Sequence, residues 1–217
     1  MNVLLLILSF ILFSCDVDNC ALCSNESAEG NYLEIDATES SSWVYYRFED
    51  DGTMEKFVGL DSLPFQPSDH ENNVFWDIAF QRYHIKTNSG ESGIGEAGAY
   101  MYPDDYWISS LFNNTTVISN NLEFAADDTV YTFYDIENHA FIDGIANPVL
   151  DTYVSIDTLN SYTPIISNNK FIVRSNPHGN IDGTYSEEEY YKFWVYQYNS
   201  GVVSVVYERI CIDDDCE

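Results

Sequence analysis

The stretch from Trp76 to Tyr100, WDIAFQRYHIKTNSGESGIGEAGAY, constrains the fold more than any other part of this chain. Between Phe75 and Thr87 one alternate set is Trp76, Ile78, Phe80, Arg82, His84 and Lys86, and the other is Phe75, Asp77, Ala79, Gln81, Tyr83 and Ile85. A period of two, rich in aromatic and branched residues, reads as a β-strand. The next segment holds Asn88, Gly90, Gly93, Gly95 and Gly98. Glycines permit positive φ and close approach of a second segment, so this part reads as a shaped loop and not as a helix. Gly93, Gly95 and Gly98 also match G-x-G-x-x-G, but a dinucleotide fingerprint needs a helix opening at the loop within a βαβ unit. Glu96 lies inside the motif and no amphipathic helix follows it. A dinucleotide site is therefore set aside.

The same strand-and-turn grammar runs through the chain. Trp43 to Phe48 and Lys56 to Leu60 read as strands around the turn Asp50-Asp51-Gly52. Thr129 to Ile136 reads as a further strand, and His139, Gly144 and Pro148 fall in a loop after it. Lys170 to Arg174, Tyr190 to Tyr198 and Val202 to Ile212 close the chain, the last two joined at Asn199-Ser200-Gly201. The reading is an all-β single domain of antiparallel strands over residues 32–217, with short helical segments near Asp104 to Phe112.

Residues 3 to 13, VLLLILSFILF, are too short an apolar run to span a bilayer comfortably. They read as the core of a lipoprotein signal peptide over residues 1–14, with Leu12-Phe13-Ser14-Cys15 as the lipobox and Cys15 as the acylated mature N-terminus. The leader lacks Lys and Arg, and Phe13 is bulky for its place. A plain secretory leader is the other reading, and both export the protein. Polar residues 15–31 then form a tether between lipid and domain. An exported chain favours disulfides, so Cys20, Cys23, Cys211 and Cys216 are expected to form two bridges. Three connectivities exist, and the preferred one joins the two ends of the chain. A four-thiolate zinc site and a thioredoxin-like redox site fit the spacing less well, since neither has the flanking structure it needs.

The formal charge is −28, from 8 Lys plus Arg against 36 Asp plus Glu. Such a field repels nucleic acid and anionic headgroups, so neither is expected as a partner, and contact with the membrane would run through the lipid on Cys15. Disorder does not follow, because 45% hydrophobic content with 17 Tyr and 13 Phe supplies a core. The acidic clusters show no twelve-residue calcium loop, and no H-E-x-x-H, G-x-S-x-G or phosphate-binding loop is present. An enzyme is not expected.

Three segments, Trp43 to Leu60, Trp76 to Tyr100 and Lys170 to Ile210, resemble the HmuY-like haem-binding lipoproteins of Bacteroidetes. The resemblance implies an all-β protein at the outer membrane or cell surface that captures haem between two loops and passes it to an outer-membrane receptor. Haem iron needs a nitrogen or thioether donor, the macrocycle an apolar slot, and its carboxylates cations. His139 falls where the family's first ligand would lie. The later segment Tyr153 to Asn169 has no His or Met, which leaves Tyr153 and Tyr162 as oxygen donors and His178 as a substitute from the loop Asn176 to Gly183. His84 reads as a sheet residue, Met101 as core, and His70 as a loop residue unsuited to ligation. Arg82, Lys86, Lys170, Arg174 and Lys192 fall within these segments and could make the local positive patch that the carboxylates of haem need, although cross-strand pairing with Glu or Asp explains them equally well; absence of the patch would count against haem. The competing reading is a surface module on the same scaffold that recognises a glycan or a protein through aromatic-rich loops.

Overall fold

A computed structural model describes residues 30–60, 63–64, 67–102, 122–135, 138–160, 163–176 and 189–210. Its strands, in chain order, are β1 (Asn31–Asp36), β2 (Val44–Phe48), β3 (Met54–Lys56), β4 (Gly59–Leu60), β5 (Leu63–Pro64), β6 (Ile78–Gln81), β7 (His84–Thr87), β8 (Gly98–Tyr102), β9 (Asp128–Asp135), β10 (Ala140–Ala146), β11 (Val154–Asp157), β12 (Thr163–Ile166), β13 (Lys170–Arg174), β14 (Tyr190–Asn199) and β15 (Val202–Arg209). All strand pairs are antiparallel, and the helical segments among the described residues are short 3-10 turns.

A five-stranded sheet in the order β1-β15-β14-β13-β8 packs on a four-stranded sheet in the order β3-β2-β6-β7. Period-two patterning decides which side chains meet between them. Phe171 and Val173 of β13, Tyr191, Phe193 and Val195 of β14, and Val203, Val205 and Tyr207 of β15 form one wall. Tyr46, Phe48, Ile78, Phe80 and Ile85 form the other. The walls interlock where Phe48 stacks on Tyr191 at 3.8 Å between ring centroids. Three small two-stranded units complete the described fold: β4 with β5, β9 with β10, and β11 with β12.

The run from Phe75 to Thr87 is not one strand. It is the β6–β7 hairpin, with Gln81 opposite His84 and a two-residue turn at Arg82 and Tyr83. The turn shifts the alternation by one, so that Ile78 and Phe80 share the core face with Ile85 and not with His84, and neither turn residue is the Gly or Asn that usually marks such a turn. Arg82 instead takes a left-handed backbone, φ 53°, and its N–H donates to the Ala37 carbonyl at 2.9 Å. A second correction concerns His139, Gly144 and Pro148. Gly144 lies within β10, and His139 is in the turn of the β9–β10 hairpin. Met101, expected in the core, stands 38% exposed on β8. The stretch Asp104 to Phe112 lies outside the described residues.

The glycine segment is a structural hub. Asn88, fully buried, donates from Nδ2 to the carbonyls of Asn73 (2.7 Å) and Trp76 (2.8 Å), and its Oδ1 accepts from Gly95 N–H at 3.2 Å. A Cβ at Gly93 would stand 2.1 Å from that Oδ1, so the loop can close on Asn88 only with glycine there. Gly90 has φ +54° and a Cβ there would meet the Asp127 carbonyl at 2.1 Å. Asp77 sits beneath, accepting from the N–H groups of Phe48 (2.8 Å) and Asn176 (2.6 Å). Burial pushes its carboxyl up to about 7, against the pull of those two donors.

Candidate functional site

The β9–β10 and β11–β12 hairpins flank a cleft of about 240 Å³ lined by Tyr83, Tyr131, Thr132, Phe141, Asp151, Val154, Ser155, Ile156 and Thr158. One wall depends on a bulge. The β9–β10 register passes from Val130 opposite Gly144 to Phe133 opposite Ile142, so Tyr131 and Thr132 together face Asp143. A bulge breaks strict alternation and re-aims a side chain, and both Tyr131 and Thr132 line the cleft. The other wall is β11 with Thr158. Exposed apolar side chains gather on these two hairpins: Tyr131, Ile142, Leu159 and Ile165. Solvent-facing groups of this kind beside a concave site mark a binding surface.

Asp151 is the buried charge of the cleft. Its Oδ2 accepts from Thr132 Oγ1 at 2.6 Å and lies 3.1 Å from His84 Nδ1, and its Oδ1 stands 3.4 Å from the Ile85 N–H. The His84 ring lies flat on Phe133 at 3.6 Å with 7° between planes. Together these contacts fix the β9–β10 hairpin to β7. His84 is therefore a hydrogen-bonded residue of the sheet. Thr, His and Asp meet here, but the hydroxyl donates to the carboxylate and not to the imidazole. With no imidazole facing the hydroxyl, the arrangement lacks the hydroxyl-to-imidazole bond of Ser-His-Asp acyl-transfer sites.

His139 stands exposed at the tip of the β9–β10 hairpin with a left-handed backbone, φ 49°. Its Nδ1 is 3.1 Å from the Tyr134 hydroxyl. Ring contacts run from it into the cleft: Tyr134 to Phe141 at 5.5 Å, then Phe141 to Tyr131 at 6.4 Å. Arg82 is also exposed, at the β6–β7 turn beside Tyr83 of the cleft. Tyr162 belongs to the two residues joining Asn160 to Thr163, outside the described residues. His178, Cys15, Cys20, Cys23, Cys211 and Cys216 lie outside them as well. Among the described residues no three His, Cys, Asp or Glu side chains are grouped to hold a metal ion. His70 packs against Tyr45 and Trp76, with centroids at 5.6 and 6.3 Å, in a 3-10 turn away from the cleft lining.

The five basic residues do not form a local positive patch. Lys86 is 3% exposed and sits 4.6, 5.2 and 5.3 Å from the ring centroids of Trp43, Tyr45 and Trp76. Burial among these rings pulls its amine down to about 8. Lys170 donates to Asn168 Oδ1 at 2.9 Å and lies over Trp194, Lys192 pairs with Glu208 at 2.8 Å, and Arg174 lies 5.1 Å from the Phe124 centroid. These four cations face rings, an amide or a carboxylate of the fold itself. Arg82 alone of the five stands next to the cleft lining.

The cleft residues Tyr131, Phe141 and Asp151 did not stand out in the sequence. The aromatic density of Tyr131 to Tyr134 was legible there, but the bulge that brings Tyr131 to the cleft rim has no sequence mark of its own. The HmuY family model, described as HmuY protein, matches residues 39–203. A solved structure of a candidate HmuY-like haem-binding protein from Bacteroides vulgatus ATCC 8482 superposes with a TM-score of 0.49 at 18% identity, covering 82% of this chain and 91% of that one. None of the curated proteins matches this chain.

Proposed function

The chain belongs to the HmuY family, and from that premise we propose that it binds haem at the cleft between its β9–β10 and β11–β12 hairpins. The observation that carries this reading is His139: an exposed imidazole at a hairpin tip, in ring contact with Tyr134, which in turn meets Phe141 of the cleft lining, in a chain of that family. An imidazole is a suitable axial donor for haem iron, and an apolar slot suits the macrocycle. In this reading His139 would ligate the iron. Tyr131, Phe141, Val154 and Ile156 would cover the porphyrin, and Arg82 would meet a carboxylate. Haem supplies the iron and the colour; the chain supplies a donor, walls that exclude water and a cation. The second axial donor is assigned to His178 or Tyr162. Capture at the cell surface on a lipid anchor at Cys15, with delivery to an outer-membrane receptor, belongs to the same proposal.

One observation favours a second reading. The cleft lining holds no His or Met, and Tyr131, Thr132, Ser155 and Thr158 present hydroxyls beside its apolar residues. A polyhydroxylated ligand such as a glycan fits that chemistry. Quenching of intrinsic fluorescence by ferric haem and by iron-free protoporphyrin separates the two. The haem reading predicts saturable quenching by both, with the iron form at least tenfold tighter, because iron adds the bond to His139. Equal weak quenching by both, with saturable binding of neutral oligosaccharides, would favour the second reading.

A further inference from the structure

The cleft between the two hairpins has a carboxylate in its lining and no Lys or Arg to answer it. Asp151 is the one buried residue of that lining, the others being half-buried or exposed, so its carboxylate forms the floor. An ionised carboxylate accepts at about four sites. Asp151 Oδ2 has Thr132 Oγ1 and His84 Nδ1 as partners, whereas Oδ1 has the Ile85 N–H at 3.4 Å, the weak end of hydrogen bonding. Oδ1 therefore keeps acceptor capacity.

Three rings share the lining with this floor: Tyr83, Tyr131 and Phe141. Tyr131 and Phe141 are 6.4 Å apart at 52°, so a cation between them lies within roughly 6 Å of both centroids, the range in which aromatic rings attract cations. No Lys or Arg occurs between Lys86 and Lys170, a span that includes both hairpins, and Asp143 and Asp157 stand on those hairpins. Arg82 adjoins Tyr83 but is not in the lining, and it bonds to the Tyr198 hydroxyl. In a chain of charge −28, a concave site of this kind concentrates small cations and repels anions. Its volume of about 240 Å³ lies below the roughly 300–1,000 Å³ of pockets for drug-sized ligands, which suits a molecule of one ring and a short chain.

We propose that this cleft binds a small organic cation, an ammonium group carried on an apolar or aromatic body. The ammonium donates to Asp151 at the floor, the rings of Tyr131 and Phe141 cover it, and Val154 and Ile156 pack on the apolar part. Aromatic walls recognise ammonium groups through the negative faces of their rings, and a carboxylate adds a charge-assisted hydrogen bond. The proposal goes beyond the haem reading and does not rest on it. His139, the iron donor in that reading, stands at the hairpin tip outside the lining, so failure of either site leaves the other standing.

The test is calorimetric titration of the haem-free wild type at neutral pH with three probes of similar shape and different charge: phenethylamine, phenethyl alcohol and hydrocinnamate. The amine should bind saturably and about tenfold or more tightly than the alcohol, the gain expected of a hydrogen bond to a charged group, and hydrocinnamate should not bind. Asp151→Asn, its fold checked by urea unfolding, should lose that preference while holding the alcohol within about twofold. Tyr131→Leu alters a side chain that is 67% exposed, so the fold is kept, and it should weaken the amine about two- to fivefold. Should Asp151→Asn not fold, the probe series and Tyr131→Leu decide alone. Equal affinity for amine and alcohol would mean that His84 already neutralises Asp151, and it overturns the proposal. Absence of saturable amine binding, saturable binding of hydrocinnamate, or an amine affinity unchanged by the substitutions overturns it as well.

Discussion

Replacing Asn88 by alanine should destabilise the protein by about 3–4 kcal/mol while leaving the cleft intact. The side chain is fully buried and makes three hydrogen bonds, to the carbonyls of Asn73 and Trp76 and from the N–H of Gly95. Each buried polar group left without a partner costs about 1–3 kcal/mol, and alanine leaves three. The low end of that range applies to the carbonyls, because water entering the space left by the amide can satisfy part of them. For a domain of this size the loss corresponds to a fall in Tm of about 6–16 °C. Urea unfolding followed by tyrosine and tryptophan fluorescence reads it directly, with an unchanged m value. Gly93 supplies the internal check. A Cβ there stands 2.1 Å from Asn88 Oδ1, so Gly93→Ala should be costly in the wild type and much less so in Asn88→Ala. The double-mutant cycle should give a coupling of about 1–2 kcal/mol. Below its melting range, Asn88→Ala should bind haem within twofold of the wild type, since the hub does not line the cleft. A loss under about 1 kcal/mol, or additive substitutions, would refute the hub argument.

Asp77 gives a pH dependence of known sign. Its folded carboxyl is raised to about 7, so the stability tied to its proton is fully present below the unfolded value and lost as pH rises through about 7. Between pH 5 and 8 the wild type should therefore lose roughly 3 kcal/mol relative to Asp77→Asn, measured by urea unfolding at each pH. Lys86 has the opposite slope. Its folded amine is depressed to about 8, so the wild type should gain stability relative to Lys86→Met as pH rises from about 8 toward 10, by on the order of 2 kcal/mol. Gly144→Ala places a Cβ 2.1 Å from the Phe133 ring and should cost about 1–3 kcal/mol through overpacking. It should also weaken haem binding, because Phe133 stacked on His84 seats the β9–β10 hairpin.

Much of the sandwich could be read from side-chain character. The strands at Lys170 to Arg174, Tyr190 to Tyr198 and after Val202 are so dense in aromatic and branched residues, buried on both faces over most of their length, that their bounds differ from the observed ones by a few residues at most. The errors have local causes. Arg82 and His139 both take positive φ without being glycine, so two hairpin turns carried no turn signal, and one hairpin read as a single strand and the other as a loop. The glycine run reads in the sequence as a shaped loop approached closely by another segment, and the approaching group is the protein's own Asn88. The cleft was the least legible part. Its inner charge comes from a 3-10 turn, one wall from a bulge and the other from a four-residue strand, and only the fold brings Tyr131, Asp151 and Ile156 together. Of the two readings of the basic residues, cross-strand pairing holds for Lys192 with Glu208, whereas sequence proximity to strands said nothing of the aromatic cage around Lys86.

The central claim is that His139 presents a donor to haem iron beside the cleft. The measurement that tests it most directly is a visible-absorption titration of the full domain with ferric haem, run on the wild type and on His139→Ala. The account predicts a sharp, saturable Soret shift in the wild type and a loss of affinity of at least tenfold, with a changed spectrum, in the variant. A wild type that gives only a broad, non-saturating response, or a variant whose spectrum and affinity match the wild type, would contradict it.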